Sequence, residues 1–465
     1  MISPGRLPPW FFPLALLGCT DPDPPVPDDP PDTTFREQIG VELEDIAAAK
    51  LPEFASPVGD VDGDGIDDLV WDGDSGYPLL YSGPIEGDLD AQVVTATFTY
   101  DEGGASVVPV GDMNGTGFHD LAFRRYSSQT GELAYTFIAG TFSGEIDLDE
   151  HEAAFASEDS SHWRLMDDVG DLNGDGRADT VLAYCDNTYN WESYYLFYGP
   201  ITEPLDVERA DASFREARPD ERYASLGLSF VPGEDYDQDG FQDIVAVELP
   251  SEDECTSAVD EEFCHRAHIL PGPFEGEIDI FARSAAELWA PSMSTSFIHA
   301  GDTDGDGNAD LFLINDSVFG WGIHTQTGPF VGSSIAEETA GAYIEYMYDG
   351  SFFEVASPID IDADGKTDIV FCVNEYESYY GYSGSDVYVF FGPHSARRNY
   401  EDADLIIRPP EPFDVVDVEP AGDLNGDGHE DLMVYTKDYD ETLEECTYVV
   451  YGGEDFVDRM EAAAR

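Results

Sequence analysis

Short apolar segments separated by polar turns run along most of the chain. Examples are "DLVW" (68–71), "DIVA" (243–246), "DIVF" (368–371) and "DVYVFF" (386–391), which are rich in β-branched and aromatic side chains. Turn-forming residues bound each run, among them Gly, Pro, Asn and Asp. Short runs of this composition between turn signals predict β-strands.

One acidic stretch recurs along the chain, and each copy leads into an apolar run. The first aspartates of successive copies are 52 to 67 residues apart. The seven copies, called acidic loops one to seven below, are "GDVDGDGIDDL" (59–69), "GDMNGTGFHDL" (111–121), "GDLNGDGRADT" (170–180), "EDYDQDGFQDI" (234–244), "GDTDGDGNADL" (301–311), "IDIDADGKTDI" (359–369) and "GDLNGDGHEDL" (422–432). A period of this length indicates a repeat architecture.

A turn related to Gly-Pro follows each acidic loop in the same phase. The seven turns are "SGPIEG" (82–87), "AGTFSG" (139–144), "YGPITE" (198–203), "PGPFEG" (271–276), "TGPFVG" (327–332), "FGPHSA" (391–396) and "YGGEDF" (451–456). Each unit then consists of strand, acidic loop, strand, variable loop, strand, turn and strand. Four short antiparallel strands repeated seven times predict an all-β fold, a seven-bladed β-propeller.

Closure of the ring requires one chain end to complete the last blade. Both "VELEDIAAAKL" (41–51) and "DFVDRMEAAAR" (455–465) are interpreted as strands that could do so. We favour the N-terminal segment.

The acidic loops share the pattern Asp-x-Asp/Asn-x-Asp-Gly-x-x-Asp. Oxygen side chains at positions 1, 3, 5 and 9 and a backbone carbonyl at position 7 follow the ligand logic of an EF-hand loop. The predicted metal ligands are Asp60, Asp62, Asp64, Ile66, Asp68, Asp112, Asn114, Thr116, Phe118, Asp120, Asp171, Asn173, Asp175, Arg177, Asp179, Asp235, Asp237, Asp239, Phe241, Asp243, Asp302, Asp304, Asp306, Asn308, Asp310, Asp360, Asp362, Asp364, Lys366, Asp368, Asp423, Asn425, Asp427, His429 and Asp431.

The metal predicted for these loops is Ca²⁺, up to seven ions in a structural role. An all-oxygen ligand set disfavours zinc and copper, and Mg²⁺ demands stricter octahedral geometry. The loops lack the EF-hand glutamate at position 12 and continue into strands. Loop two departs most from the pattern, because Thr116 replaces the acid at position 5. Positions 1, 3, 5 and 9 hold 24 carboxylates, so the empty loops should repel themselves. The alternative interpretation is a series of solvated Asp-Gly turns that bind no metal.

These loops and their strand–loop–strand setting resemble FG-GAP/VCBS repeats, as found in the integrin α-subunit propeller and in bacterial exported proteins. The resemblance covers residues 39–465. It implies a seven-bladed propeller with Ca²⁺ in loops that join the first two strands of blades. The family includes adhesion proteins, scaffolds and enzyme supports, so it does not fix a function.

Charge narrows the class of partner. The chain carries 99 acidic and 20 basic side chains, a formal net charge of −79. Such a surface repels nucleic acid and anionic lipid headgroups, so neither is an expected partner. We expect a monomer that touches a membrane only through a lipid anchor.

The N-terminal residues predict that anchor. "WFFPLALLG" (10–18) is short and apolar, and "LLGC" (16–19) resembles a bacterial lipobox in which Cys19 would be lipidated. An ordinary signal peptide with a chance cysteine is the alternative. Residues 1–18 are then a signal peptide, and the Pro- and Asp-rich residues 19–38 a tether. The resemblance implies an exported protein held on the outer membrane or cell surface. No later segment is long and apolar enough for a transmembrane helix.

An oxidising compartment would favour disulfides among the five other cysteines. Cys255 and Cys264 share one loop-like stretch and form the first predicted pair. A second pair, Cys372 with Cys446, is a weaker hypothesis that leaves Cys185 over.

Strand order places the acidic loops on one face and the variable loops on the other. Trp191, Tyr379 and Tyr380 lie in long aromatic variable loops and are candidate contacts for a protein or glycan ligand. Their alternative role is packing on neighbouring strands. No G-x-S-x-G, H-E-x-x-H or P-loop motif is present, so a non-enzymatic binding, adhesion or scaffold module is predicted. A propeller hydrolase or lyase acting on polysaccharide is the alternative.

Overall fold

The computed structural model describes residues 38–52, 55–71, 77–89, 92–101, 105–127, 130–157, 162–166, 169–185, 191–215, 225–227, 234–249, 265–290, 295–317, 320–335, 340–346, 351–377, 381–383, 386–410, 413–437 and 446–465. These residues belong to one compact unit, 35–465. The predicted signal peptide and tether, with Cys19, lie outside the described residues, apart from Gln38.

Seven antiparallel sheets form the unit, which is a seven-bladed β-propeller as the repeats predicted. Each sheet is one blade, numbered after its acidic loop. From innermost to outermost, the four main strands are Ala55–Gly59, Asp68–Trp71, Leu79–Tyr81 and Ala96–Thr99 in blade one; Ala105–Pro109, Leu121–Tyr126, Leu133–Ile138 and Phe155–Ser157 in blade two; Trp163–Leu165, Thr180–Cys185, Trp191–Phe197 and Ala212–Arg215 in blade three; and Ser225–Gly227, Ile244–Leu249, His265–Leu270 and Ala286–Ala290 in blade four.

The remaining blades repeat the arrangement. Their strands are Thr295–Gly301, Asp310–Ser317, Gly320–Gln326 and Ala340–Tyr346 in blade five; Ser351–Ala356, Ile369–Glu377, Val387–Phe390 and Leu405–Arg408 in blade six; and Asp414–Gly422, Asp431–Lys437, Cys446–Val450 and Ala49–Pro52 in blade seven. A short extra strand, Gly381–Ser383, pairs with the second strand of blade six.

A fifth strand, which the repeats did not predict, pairs in parallel with the outermost strand of six blades. It comes from the segment of the next blade that precedes that blade's own fourth strand. The fifth strands are Gly144–Asp147 on blade one, Gly276–Asp279 on blade three, Gly332–Ile335 on blade four, Arg397–Asn399 on blade five, Ile39–Glu42 on blade six and Gly87–Asp88 on blade seven. Each of these six blades is thus tied to the next blade by backbone hydrogen bonds.

Blade two has no fifth strand among the residues that the structure describes. Four fifth strands begin at a glycine with positive φ, such as Gly276 at φ 73°, whose N–H donates to the Asp211 carbonyl at 2.8 Å. Counted from the first glycine of the turn, Glu203 takes this place beside blade two and Pro204 follows it. A backbone bond still joins the two blades there, from the Leu205 N–H to the Ala154 carbonyl at 2.7 Å.

The N-terminal segment closes the ring, as we favoured, but it is not one strand. Ile39–Glu42 is the fifth strand on blade six, helix α1 (Leu43–Ile46) follows, and Ala49–Pro52 is the fourth strand of blade seven, antiparallel to Cys446–Val450.

The C-terminal segment 455–465 is a helix, and its prediction as a strand was wrong. Phe456 and Met460 are four residues apart, which puts both on one helical face, and both are buried. They pack with Leu43 in one apolar cluster. This helix is α3 (Phe456–Ala463), and α2 is Ile280–Arg283. Short 3₁₀ turns span Leu148–Glu150, Val207–Arg209 and Tyr400–Asp402. Among the described residues, no helix is long and apolar enough to cross a membrane.

The hydrophobic core lies between the blades. Seven apolar clusters correspond to the seven junctions between neighbouring blades. At the junction of blades one and two, for example, the rings of Phe98 and Phe123 are 4.4 Å apart and fully buried. Strand residues that face a neighbouring blade on either side are buried on both, which is why the second strands read as continuous apolar runs.

The two buried cysteines correct one disulfide hypothesis. Cys372 and Cys446 are not joined by a disulfide, so they do not form the second predicted pair. Cys372 lies on the second strand of blade six and Cys446 on the third strand of blade seven. Cys255 and Cys264 lie outside the described residues, and their pairing stays a prediction.

Close backbone contact requires the turn glycine in six of the seven turns, the exception being Gly140 of the second turn. A Cβ on Gly272 would lie 2.4 Å from the Gln242 carbonyl oxygen and 3.3 Å from that of Leu172 in blade three. Backbone atoms on both sides cannot rotate away as a side chain can.

We therefore expect Gly272→Ala to lower the free energy of unfolding by about 3 kcal/mol, the upper end for over-packing. Gly276→Ala is the matched control, because its Cβ would meet nothing within 4 Å although φ is +73°. It should cost only about 1 kcal/mol, from the positive φ. Denaturant titration of both variants makes the comparison. Equal losses would show that overlap at Gly272 is relieved by a backbone shift.

Candidate metal centres and the opposite face

Each acidic loop joins the innermost strand of its blade to the second strand, as predicted. The following Gly-Pro turn lies on the same face and contacts the loop. In blade five, the Gly328 N–H donates to Asp310 Oδ1 at 2.9 Å. The turn also reaches the preceding blade, where the Phe330 N–H donates to the Tyr236 carbonyl at 3.0 Å. The loops and turns therefore form one interlocked layer.

The position 1 aspartate folds each loop around its own side chain. In loop seven, Asp423 Oδ1 accepts from the N–H groups of Gly426 at 2.7 Å and Asp427 at 3.0 Å. Its Oδ2 accepts from the Gly428 N–H at 2.7 Å. The same Oδ2 bond to the position 6 glycine occurs in all seven loops. The position 6 glycines have φ between 83° and 94°, which a side chain would strain.

Position 5 adds a second local bond. In six loops its Oδ1 accepts from the position 7 N–H, as between Asp364 and Lys366 at 3.0 Å. Loop two cannot form it in this way because it has Thr116, the departure noted in the sequence.

The position 9 aspartate does more than its prediction as a ligand implied. In blade five, Asp310 is fully buried and accepts from the Thr303 N–H at 2.8 Å as well as from Gly328. The same pair of bonds, to the position 2 residue and to the turn glycine, recurs at Asp68, Asp179, Asp243, Asp368 and Asp431. This carboxylate therefore connects strand, loop and turn.

Burial also shifts the pKa of the position 9 carboxyl group. It raises the pKa of Asp68, Asp179, Asp243 and Asp431 to about 7, against the opposing effect of the backbone N–H bonds. Neighbouring loop aspartates raise these pKa values further. Carboxylates crowded in this way are stabilised as anions by a nearby cation.

Several loops bring ligand atoms close enough to share a metal ion. Carboxylate oxygens lie within 4.8 Å of one another in four sets: Asp60, Asp62 and Asp68; Asp235, Asp237 and Asp239; Asp302, Asp304 and Asp306; and Asp360, Asp362 and Asp368. In loops two and three, the position 3 oxygens Asn114 Oδ1 and Asn173 Oδ1 are buried without a hydrogen-bond partner. A buried oxygen without a donor is costly, and a cation would satisfy it. The residues present therefore fit a hard cation.

Side chains at position 7, predicted to matter only through their carbonyls, also link the loops. In five loops this side chain packs against the position 4 glycine of the preceding loop, and Asn308 contacts Gln238 at position 4 of loop four. A Cβ on Gly63 would lie 2.2 Å from the Phe118 ring, and one on Gly426 would lie 2.9 Å from Ile66. Arg177, Phe241 and Lys366 occupy the equivalent place over Gly115, Gly174 and Gly305. Single repeats carry no signal for this contact, because it joins residues of different blades.

The ends of the second and third strands that face away from the acidic loops lead into the variable connections, most residues of which lie outside the described part of the chain. Trp191 begins the third strand of blade three, and its backbone pairs with Cys185. Tyr379 and Tyr380, like Cys255 and Cys264, lie outside the described residues. Two further aromatic residues, Trp163 and Tyr184, lie at the same end of blade three as Trp191. They are cross-strand partners, their rings are 4.8 Å apart, and both are half-buried. The sequence did not distinguish these two from ordinary strand aromatics.

A scan against protein-family models and a search of curated proteins found no match. Among solved structures, the rhamnogalacturonan lyase YesW, determined at 1.40 Å resolution, is 10% identical over 90% of this chain and 91% of its own, with a TM-score of 0.28. A likeness of this strength carries no argument about a site or an activity.

Proposed function

We propose that the chain is a calcium-stabilised, lipid-anchored surface propeller that binds a protein or glycan on the face opposite the acidic loops. The division between the two faces carries the proposal. One face is an interlocked layer of loops and turns whose carboxylates bind their own backbone. The other has half-buried aromatic rings and the long connections between second and third strands.

Calcium is the cation that suits this layer best. The ligand groups are carboxylates and amide oxygens, which hard cations prefer. The loops resemble FG-GAP/VCBS calcium loops, and their number allows up to seven ions. Ca²⁺ would neutralise the crowded carboxylates, while the loop's own Asp–backbone bonds keep the ligand oxygens turned inward.

Cys19 would hold the propeller on the outer membrane or cell surface, and residues 20–38 would set its distance from the lipid. Anchoring leaves either face free to meet a partner outside the cell. The proposed arrangement treats residues 39–465 as a single binding module.

Glycan and peptide arrays probed with the full chain, in Ca²⁺ and after chelation, test the binding proposal. We expect a defined ligand class that Trp191→Ala weakens about tenfold, the loss expected for one aromatic contact. Trp289→Ala is the matched control, because Trp289 lies on the outermost main strand of blade four, where its Nε1 donates to Ser333. Equal losses in the two variants, or no bound class, would contradict a ligand face at blade three.

A polysaccharide hydrolase or lyase is the second candidate, favoured by acidic side chains on the innermost strands of blades six and seven. Burial raises the pKa of Glu354 to about 7, and Asp417 raises it further. A carboxyl near pH 7 suits general acid catalysis. Release of reducing ends or unsaturated products from a polysaccharide panel, abolished by Glu354→Gln, would establish this activity.

A further inference from the structure

The junction between blades seven and one is where the ring closes, and it contains a hydrogen-bonded chain of three groups. Tyr435, on the second strand of blade seven, directs its hydroxyl to the Ala55 carbonyl of blade one at 2.8 Å. The same hydroxyl contacts Glu419 Oε1, from the innermost strand of blade seven. Tyr435 and Ala55 belong to the apolar cluster of this junction.

Counting protons shows what this chain requires. The Ala55 carbonyl can only accept, and the Tyr435 hydroxyl has one proton to donate. If Glu419 is ionised, the phenol proton can serve the carboxylate or the carbonyl, but not both. The remaining close oxygen–oxygen contact would then be repulsive. If Glu419 is protonated, it donates to the Tyr435 oxygen, and Tyr435 donates to Ala55.

The surroundings of Glu419 disfavour its negative charge. Asp417 lies two residues away on the same strand and adds a like charge. Blade six contributes the acid Glu354 and the buried thiol Cys372, both of which interact with Asp417. The innermost strand of blade one, Ala55–Gly59, has no titratable side chain. Among the described residues, no Lys or Arg is paired with Glu419.

We propose that protonated Glu419 acts with Tyr435 as a latch that holds blade seven to blade one, so that closure of the propeller ring weakens as the carboxyl loses its proton. The latch uses no metal ligand: Glu419 and Tyr435 are each four residues from the nearest predicted one. The proposed latch can therefore be tested independently of the proposed calcium sites.

The direction of the pH effect follows from linkage. Burial, with Asp417, raises the pKa of Glu419 from an ordinary 4.5 to about 7 in the folded chain, against the opposing effect of the hydrogen bond with Tyr435. Between these values the folded chain holds a proton that the unfolded chain has released. Stability from this group is therefore complete below the unfolded pKa and is lost as the pH rises through the folded pKa.

Glu419→Gln tests the latch, because the glutamine amide donates to Tyr435 at every pH. The unfolding equilibrium constants of the full chain and the variant should be compared from pH 4.5 to 8.5 in saturating Ca²⁺. We expect their ratio to change by up to about tenfold per pH unit between 4.5 and 7, with the variant the more stable at pH 8. Hydrogen exchange of the 49–52 and 55–59 backbone amides should rise with pH, beyond its intrinsic dependence, only in the unsubstituted chain.

Two controls separate the latch from general electrostatics. Glu145→Gln removes an exposed acid on a fifth strand and should shift stability equally at every pH. Glu419→Gln should also be made in the Tyr435→Phe background. Measured against Tyr435→Phe alone, its pH-dependent advantage should be smaller, because no phenol is present to pair with the amide or with the protonated carboxyl. A ratio between Glu419→Gln and the unsubstituted chain that stays constant with pH would overturn the proposal. So would a variant less stable than that chain at pH 8.

Discussion

Removing divalent cations from the full chain should lower its melting temperature by about 10–20 °C. Sites with dissociation constants of about 10⁻⁴–10⁻³ M, as in extracellular modules, each contribute about 1.4–2.7 kcal/mol at about 10 mM Ca²⁺. Up to seven sites then sum to about 10–19 kcal/mol. With an unfolding entropy of about 2.1 cal/mol/K per residue, this chain shifts by about 1 °C per kcal/mol.

The physical reason is repulsion as much as coordination. The loops concentrate 24 carboxylates at ligand positions, and their backbone N–H partners do not neutralise the charge. Thermal unfolding in Ca²⁺, in excess chelator, and in chelator with equimolar Mg²⁺ or matched NaCl measures the effect. Calcium should restore the melting temperature, while salt should recover little of it. A melting temperature that does not change in excess chelator would contradict the proposed calcium sites.

The repeat pattern was enough to predict the propeller because every copy reports the same local structure. Acidic loop, exit strand and Gly-Pro turn lie within one blade and are specified by neighbours in sequence. Seven copies at a near-constant period then fix the blade count. The closing strand was also predictable, since a ring must be completed by one end of the chain.

Contacts between blades could not be predicted in this way. The fifth strands, the contact of Phe118 with Gly63 and the Tyr435 bridge to Ala55 all join residues from different repeats. A single sequence gives no register between repeats. The C-terminal helix was mistaken for a strand because the repeat suggested a strand there, while Phe456 and Met460 follow the helical spacing instead.

The sequence predicted which residues form the acidic loops, but not that the loop positions have different structural roles. Spacing alone treats positions 1, 3, 5 and 9 as equivalent ligands. In the folded chain, position 9 is buried and holds two backbone N–H groups, whereas position 5 is exposed and bonds within the loop, as Asp310 and Asp306 illustrate. The burial of Asp310 depends on the turn that follows, 18 residues along the chain at Gly328, and the spacing within the loop does not report that contact.

This difference predicts that only one of two substitutions in loop five depends on the metal, because Asp306 belongs to the carboxylate cluster of that loop and Asp310 does not. Asp310→Ala should lower the free energy of unfolding by about 2–6 kcal/mol with or without calcium. It strands the N–H groups of Thr303 and Gly328, each at about 1–3 kcal/mol. Asp306→Ala should change stability in chelator by no more than about 0.5 kcal/mol, because the Asn308 N–H it releases lies in an exposed loop and can bond to water.

In saturating calcium the two variants should become more alike. Asp306→Ala then loses a ligand and with it the contribution of one site, about 1.4–2.7 kcal/mol at about 10 mM Ca²⁺. Denaturant titrations of both variants and the unsubstituted chain, in calcium and in chelator, give the loss of unfolding free energy for each variant in each condition. If Asp310→Ala does not fold, Asp310→Asn keeps one acceptor oxygen and allows the same comparison. A loss at Asp310 that vanishes in chelator would mean that position 9 acts only through the metal. A loss that persists in chelator would mean that buried carboxylates hold the interlocked layer of loops and turns together before any cation binds.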